Sequence, residues 1–195
     1  FFHELTHHLI KHDNDLIEFL NEYAYRDDSP PVEHLCNIGA AEFLAPLEEV
    51  RAIIQEYGFH ISLIETLDQL YPASKPALTF QLATAAVHQC IVVICEYGFP
   101  TGVQERASFP FAEPWLPQPH LYVQYAATSP SFNYSCGRFA TIPSNHIISA
   151  AYKDRCSLKG QASIPFKSGR SWVTHCDAHF YLGKVYAAFH VTVAP

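Results

Sequence analysis

Apolar residues recur with a helical period through the first half of the chain and change to an alternating period in the second half. Helices are predicted over residues 1–12, 32–44, 47–57, 62–70 and 75–87. Ser29-Pro30-Pro31 is a helix-start signal, and Pro46 ends the second helix. The acidic stretch up to Asp28 has apolar positions spaced like a short amphipathic helix, and Asp13-Asn14-Asp15 can end the first helix or open the next turn.

Strand signals begin at Cys90, where the unbroken apolar run to Cys95 is typical of a buried strand. Later positions alternate as in antiparallel strands: Leu121, Val123 and Tyr125; Trp172 and Thr174; Val185, Ala187, Phe189 and Val191. Residues 100–119 are rich in proline and predict a long loop. The pattern therefore predicts an α+β protein, with a helical first half and an antiparallel sheet with helices in the second.

Composition narrows the class of protein. The 195 residues are 49% hydrophobic and 16% charged, which is typical of a globular chain long enough for one domain or two small ones. No apolar run approaches the ~20 residues of a membrane span. The net charge of −7 argues against a general nucleic-acid binder. Six cysteines without a CxxC pair, and no visible signal peptide, predict reduced thiols in a cytoplasmic protein.

The candidate chemistry lies at the start, in His3-Glu4-Leu5-Thr6-His7. On a helix His3 and His7 point the same way and can both bind one metal ion. Glu4 then lies beside the ion, where it can take a proton from water, as in HExxH zinc peptidases. The metzincin pattern is disfavoured because Ile10 and Asp13 stand where it requires Gly and His.

A third ligand must come from elsewhere, because catalytic zinc usually has three protein ligands and a water. A carboxylate from a following helix fits best, and the candidates are Glu33, Glu18 and Glu22. We favour Glu33, since its helix carries the small residues 39–41, which let another helix approach closely. On spacing alone this choice remains open.

The stretches HELTHHLIKH and EHLCNIGAAEFLAP resemble the IrrE/ImmA family of metallopeptidases. The pattern of that family is HExxH, then Glu-x-x-x-Asn-x-x-Ala-Ala and a closing Leu-x-Pro. The resemblance implies that Glu33 is the third metal ligand and that Asn37 supports the ligands. It continues, more diffusely, through Glu96-Tyr97-Gly98 and residues 164–170.

This resemblance implies a partial zincin-like metallopeptidase core over 1–57, helix-turn-helix-like helices over 58–89 and a GAF-like sensor domain over 90–195. It further implies a Zn²⁺ or Mn²⁺ endopeptidase that cleaves a helix-turn-helix repressor of a DNA-damage or desiccation response. A small ligand in the GAF-like domain is also implied, without a residue that identifies it. Since the chain has no Met and starts just before the motif, we expect an N-terminally truncated fragment.

Three further features have two interpretations each. The 62–87 helices offer only Lys75 and Gln81 for DNA contact, so packing is favoured over DNA binding. His175, Asp177 and His179 share one strand face; we favour a solvated sheet face over a second metal site. His8 lies off the metal face and is expected to be exposed or to support the ligands.

A rival function belongs to another class. The chain could be a non-catalytic stress regulator that binds a ligand or a protein through its C-terminal domain, with a structural or vestigial metal site. Glu4 discriminates between the two, because a structural site needs no general base. Its presence favours the enzyme.

Overall fold

A computed structural model describes residues 1–21, 30–100, 118–134, 136–166, 170 and 172–191. Seven helices lie in these ranges: α1 Phe2–His12, α2 Asn14–Asn21, α3 Pro30–Leu44, α4 Leu47–Tyr57, α5 Leu63–Leu70, α6 Lys75–Ala85 and α7 Ile147–Asp154. The strands are β1 Cys90–Gly98, β2 His120–Thr128, β3 Ser157–Ser163, β4 Val173–Tyr181 and β5 Lys184–His190. Ser29 and most of the predicted proline-rich loop, residues 101–117, lie outside the described residues.

The strands form one antiparallel sheet in the order β2-β1-β5-β4-β3. β1 and β5 lie inside the sheet because their side chains are apolar on both faces, and a strand covered on both sides has no polar face to present. β3 is polar and lies at an edge. The predicted α+β class with an antiparallel sheet is therefore confirmed.

Helices cover both faces of the sheet. One face packs against α7 in a core that includes Ile91, Val93, Ile148 and Phe189. The other face packs against α4, α5 and α6 through residues such as Val92, Ile94, Leu78, Leu82 and Tyr186. A third, much smaller cluster joins α1, α2 and α3 through Ile10, Leu20, Val32 and Cys36. The N-terminal helices thus have an apolar cluster of their own.

The predicted alternation of β2 is wrong at its third position. Leu121 and Val123 face the α7 side, but Tyr125 packs with the α4–α6 side. The pairing to β1 shifts here, since Ile94 pairs with Tyr125 whereas Cys95 pairs with Val123. This bulge places an extra residue on β2, and one extra residue exchanges the faces of all positions beyond it.

The interpretation of His175, Asp177 and His179 as a solvated face is wrong for two of the three residues. They share one face of β4, on which His175 is exposed, but Asp177 is only 3% and His179 9% exposed. The Ile61 N–H donates to the Asp177 carboxylate at 3.2 Å, and His179 Nε2 lies 2.8 Å from Glu65 Oε1. These side chains join the sheet to the segment 61–65. Within the described ranges, they form no three-residue group with metal-ligand spacing.

Both residues named for DNA contact have internal partners. Gln81 is 2% exposed, and its amide donates to the Ala45 carbonyl at 2.8 Å and to Glu42 at 3.0 Å. Lys75 pairs with Asp68. These contacts are those of helices packed against each other and against the sheet.

The sequence predicts reduced thiols and shows no apolar run long enough for a membrane span. All six cysteines fall within the described ranges, and no disulfide joins them. Among the helices described, none combines the length and the apolar character needed to cross a membrane.

The unfolding free energy should fall as the pH falls from about 6.5 to about 4, because of His190. Its Nδ1 is hydrogen-bonded to His88 Nε2 at 2.9 Å, and Phe59 packs edge-on against its ring. Burial, then the neighbouring His88 and His175, lowers the pKa of His190 from 6.5 to about 4, and Lys159 adds to this while Asp177 opposes it.

The unfolded chain takes up a proton at the ordinary pKa, and the folded protein only near the lowered pKa. The contribution of neutral His190 is therefore complete above pH 6.5 and is lost as the pH falls through 4. Partial exposure of the ring reduces the loss to about 1–2 kcal/mol. Urea unfolding between about pH 7 and pH 4 should be less pH-dependent in His190→Gln than in wild type. The control His8→Gln changes an exposed histidine. Equal pH dependence in wild type and His190→Gln would contradict the assignment.

Candidate metal centre

α1 presents two histidines on one side because four residues make about one helical turn. The His3 and His7 ring centroids lie 4.9 Å apart. Thr6 and Ile10 are buried on the side that packs against the protein. Asp13 ends α1, and its carboxylate accepts a hydrogen bond from the Leu16 N–H at 2.9 Å, which caps the start of α2. Asp13 thus fulfils both roles expected of residues 13–15.

α1 approaches α3 closely where Thr6 meets Gly39. A Cβ atom at Gly39 would lie 2.5 Å from Thr6 Cγ2 and 2.7 Å from Thr6 Oγ1, so only glycine fits at this crossing. The Phe2 and Phe43 rings stack nearby with centroids 5.6 Å apart. These contacts set how closely the two helices approach, and therefore how far the α3 side chains reach towards His3 and His7.

A polar contact fixes α3 on its other side. The Glu42 carboxylate accepts hydrogen bonds from the Leu47 N–H at 3.1 Å and from the Gln81 amide at 3.0 Å. The carboxylate of Glu42 thus joins α3 to the first turn of α4 and to α6. Because α6 packs against the sheet, α3 has a fixed position relative to the rest of the fold.

Glu33 is the residue of α3 that meets both histidines. His3 Nε2 lies 3.2 Å from Glu33 Oε2, and His7 Nε2 lies 3.1 Å from Glu33 Oε1. Among the described residues, no other carboxylate makes both contacts. Of the other candidates, Glu18 is exposed on α2, and Glu22 lies outside the described residues. The side chains of His3, His7 and Glu33 are 30%, 13% and 45% exposed, so the group is open to solvent on one side.

This donor set fits a divalent ion such as Zn²⁺. Two imidazole nitrogens and a carboxylate are the ligands of His₂Glu zinc enzymes, with metal–ligand bonds of about 2.0–2.2 Å. Donor atoms about 3 Å apart can all lie at such a distance from one ion. The contacts of 3.1 and 3.2 Å meet this condition with little side-chain movement.

A fourth donor lies at the same place and was missed by the sequence analysis. The ligand atoms of His3, His7 and Cys36 all lie within 4.8 Å of one another, the only three-residue group of this kind within the described ranges. Cys36 is fully buried, whereas Glu33 is at the surface. Glu33 is the residue whose carboxylate contacts both imidazoles. The spacing of three residues between Glu33 and Cys36 was the available signal.

The remaining predicted residues lie around this group. Glu4 is exposed on the neighbouring side of α1. Asn37 is exposed one turn after Glu33 and lines a cavity of about 420 Å³ between α3 and α6, together with apolar residues such as Phe80. His8 is exposed, as expected, and its ring lies 4.4 Å from that of His12.

Comparison with known proteins finds relatives that are named metalloproteases. No protein-family model matches the chain. The chain is similar to the radiation response metalloprotease IrrE of Deinococcus deserti, with 25% identity over 189 residues, which are 96% of this chain and 64% of that protein. It is also similar to IrrE of Deinococcus radiodurans, with 23% identity over 96% of this chain and 57% of that protein. The resemblance to IrrE is thus confirmed. The chain spans less than two thirds of the length of these relatives.

Proposed function

We propose that the protein is a metal-dependent endopeptidase whose ion is held by His3, His7 and Glu33. The observation that carries this proposal is the Glu33 carboxylate, which lies within 3.2 Å of the Nε2 atoms of both histidines. The motif supplies the general base, and both named relatives are metalloproteases. Zn²⁺ suits the donor set, and Mn²⁺ is the alternative because histidine and carboxylate accept both ions.

Each of these residues has a separate role in the proposed peptide hydrolysis. When bound, the ion supplies Lewis-acid chemistry and lowers the pKa of a coordinated water to about 7. Glu4 accepts a proton from the attacking water on its carboxylate and passes it to the leaving amine. His3, His7 and Glu33 would hold the ion in place, and Asn37, one turn beyond Glu33, would support these ligands. The exposed position of Glu4 leaves its carboxylate accessible to a substrate.

The proposed substrate is a protein, in keeping with the protease names of the relatives. The cavity that begins at Asn37 has apolar walls from α3 and α6 and can accept an apolar side chain near the cleaved bond. We propose a helix-turn-helix repressor as substrate, and a switch into a DNA-damage or stress response as the outcome. The word "radiation" in the names of the relatives supports such a response.

We also propose the division into a zincin-like core over 1–57, helix-turn-helix-like helices over 58–89 and a GAF-like sensor over 90–195. The antiparallel sheet with α7 packed on one face, all within 90–195, supports a sensor fold of this kind. A small ligand for the sensor domain and a cytoplasmic location belong to the same proposal. Direct DNA binding is not part of it, since Gln81 and Lys75 have internal partners.

Purified protein should bind about one divalent ion, and His3→Ala, His7→Ala and Glu33→Ala should each lose it. Each substitution removes a histidine or carboxylate donor, ligand types that both Zn²⁺ and Mn²⁺ accept, so the ion is held far less tightly. Elemental analysis after dialysis against Zn²⁺ or Mn²⁺ measures the metal content.

The matched controls are His8→Ala and Glu18→Ala, which remove an exposed histidine and an exposed carboxylate and should keep the ion. Unchanged metal content in Glu33→Ala would assign the third ligand elsewhere. No bound ion in the wild-type protein would refute the proposed centre and favour the rival, non-catalytic regulator.

A further inference from the structure

Cys36 is the second residue of α3 that faces the two histidines. It follows Glu33 by three positions, so both side chains lie on the same side of the helix. Its sulfur lies within 4.8 Å of the ligand atoms of His3 and His7. Glu33 approaches them from the solvent side, and the fully buried Cys36 approaches from the interior. The histidines therefore lie between two donors.

The distances suit a four-ligand site. Four donors placed tetrahedrally around zinc, with bonds of about 2.0–2.3 Å, are about 3.5 Å apart. The upper limit of 4.8 Å for His3, His7 and Cys36 exceeds this by about 1.3 Å, so a four-ligand site requires rotation of the histidines about χ1 and χ2 and of Cys36 about χ1.

We propose that Cys36 is a fourth protein ligand of the ion held by His3, His7 and Glu33, that it takes the position a catalytic water needs, and that it makes the site prefer Zn²⁺ to Mn²⁺. This inference rests on the proposed function, because it requires the metal centre. A zinc site with four protein ligands is closed, whereas a catalytic site keeps one position open. Coordination by Cys36 therefore holds the peptidase in a latent state.

Binding of the Cys36 sulfur to the ion, and its release, each balance in atoms and charge. On coordination the thiol loses its proton to solvent, the sulfur–metal bond forms, and one water molecule leaves the ion. In the reverse step the thiol is protonated again, and water takes its position. The neutral thiol then lies in the apolar cluster with Ile10, Leu20 and Val32, where a cysteine packs as a small hydrophobic residue. Each state of Cys36 thus has a suitable environment.

Metal preference follows from the softness of sulfur. Thiolate ligands favour zinc, whereas manganese prefers carboxylate, carbonyl and water oxygens. A His₂Glu site alone accepts both ions. Added sulfur from Cys36 strengthens zinc binding and contributes little to manganese binding.

X-ray absorption at the zinc edge of the Zn²⁺-loaded full chain tests the ligand directly. Wild type should show one sulfur at about 2.3 Å beside nitrogen and oxygen at about 2.0–2.2 Å. Cys36→Ala should lose the sulfur and keep the ion, because His3, His7 and Glu33, the donors of the proposed catalytic centre, all remain. The matched control Cys156→Ala removes a cysteine from the loop between α7 and β3 and should keep the sulfur signal.

Bound zinc with only nitrogen and oxygen ligands in wild type would overturn this inference and leave the proposed function standing. No bound ion in wild type would overturn both. The wild-type spectrum alone shows whether sulfur binds the zinc. The test therefore does not depend on the folding of Cys36→Ala.

Competition between Zn²⁺ and Mn²⁺ tests the preference. In Cys36→Ala the affinity for zinc should fall by at least about 10- to 100-fold, the range that loss of a residue supporting a metal ligand typically costs, with little change for manganese. An equal loss for both ions, or no loss for either, would overturn the selectivity assigned to Cys36.

Discussion

Cleavage of a protein substrate should fall by about 10²- to 10⁴-fold in Glu4→Gln, while the metal content stays at the wild-type level. Glutamine keeps the shape and the hydrogen bonding of Glu4, but it cannot accept a proton from water. The loss corresponds to about 3–5 kcal/mol of activation free energy. Initial rates with a helix-turn-helix repressor, in the presence of Zn²⁺ or Mn²⁺, measure it.

The matched control is Glu18→Gln, which removes another exposed carboxylate from a neighbouring helix and should cleave as wild type does. Metal analysis of the same preparations separates loss of the base from loss of the ion. Wild-type rates in Glu4→Gln, with the ion present, would refute the proposed general base and with it the mechanism.

Gly39→Ala should lower the unfolding free energy and weaken metal binding at the same time. The new methyl group would lie 2.5 Å from Thr6 Cγ2, so α1 must move away from α3. Overpacking of this kind costs about 1–3 kcal/mol, and the better helix propensity of alanine offsets about 1 kcal/mol. Because the clash is with a branched side chain on a packed helix, we expect a cost in the upper half of this range. The net loss of unfolding free energy is then about 1–2 kcal/mol. Urea unfolding and zinc titration measure the two effects.

Thr6→Ala should rescue the Gly39→Ala variant. It removes the two closest atoms and leaves only Cβ, 3.2 Å from the added methyl group. The matched control Gly160→Ala adds a methyl group 3.3 Å from the flexible end of Ile147 and should leave metal binding unchanged. Full metal binding in Gly39→Ala alone would show that the helix crossing does not position the ligands.

Elements with a strong local pattern were predicted from the sequence. The helices around His3 and Glu33 and the buried strand from Cys90 follow from apolar periodicity within each segment. β3 was missed because it is a polar edge strand, with only Ala162 fully buried. α7 was missed because it is short and its N-cap is His146, whose ring accepts a hydrogen bond from the Ile148 N–H.

Features that depend on distant packing were predicted less well. The bulge that turns Tyr125 depends on the partner strand, and the burial of Asp177 depends on the Ile61 N–H, which is remote in sequence. At the metal centre, the two histidines follow from one helix. The approach of α3 depends on the contact of Gly39 with Thr6, which no local pattern encodes. Glu33 and Cys36 lie on the same side of α3, so spacing alone does not separate their roles.

The small size of the apolar cluster under α1, α2 and α3 has a consequence for how long an ion stays in place. Protein segments with few buried contacts open locally while the rest of the structure stays folded. Among the residues that the structure describes, only four buried side chains, Ile10, Leu20, Val32 and Cys36, form this cluster, against the large cores on the sheet. An ion held by donors from both α1 and α3 stabilises the closed form by linkage. The ion is then expected to dissociate at the rate at which α1 and α3 separate. The time for which the ion stays bound therefore measures the opening of these two helices.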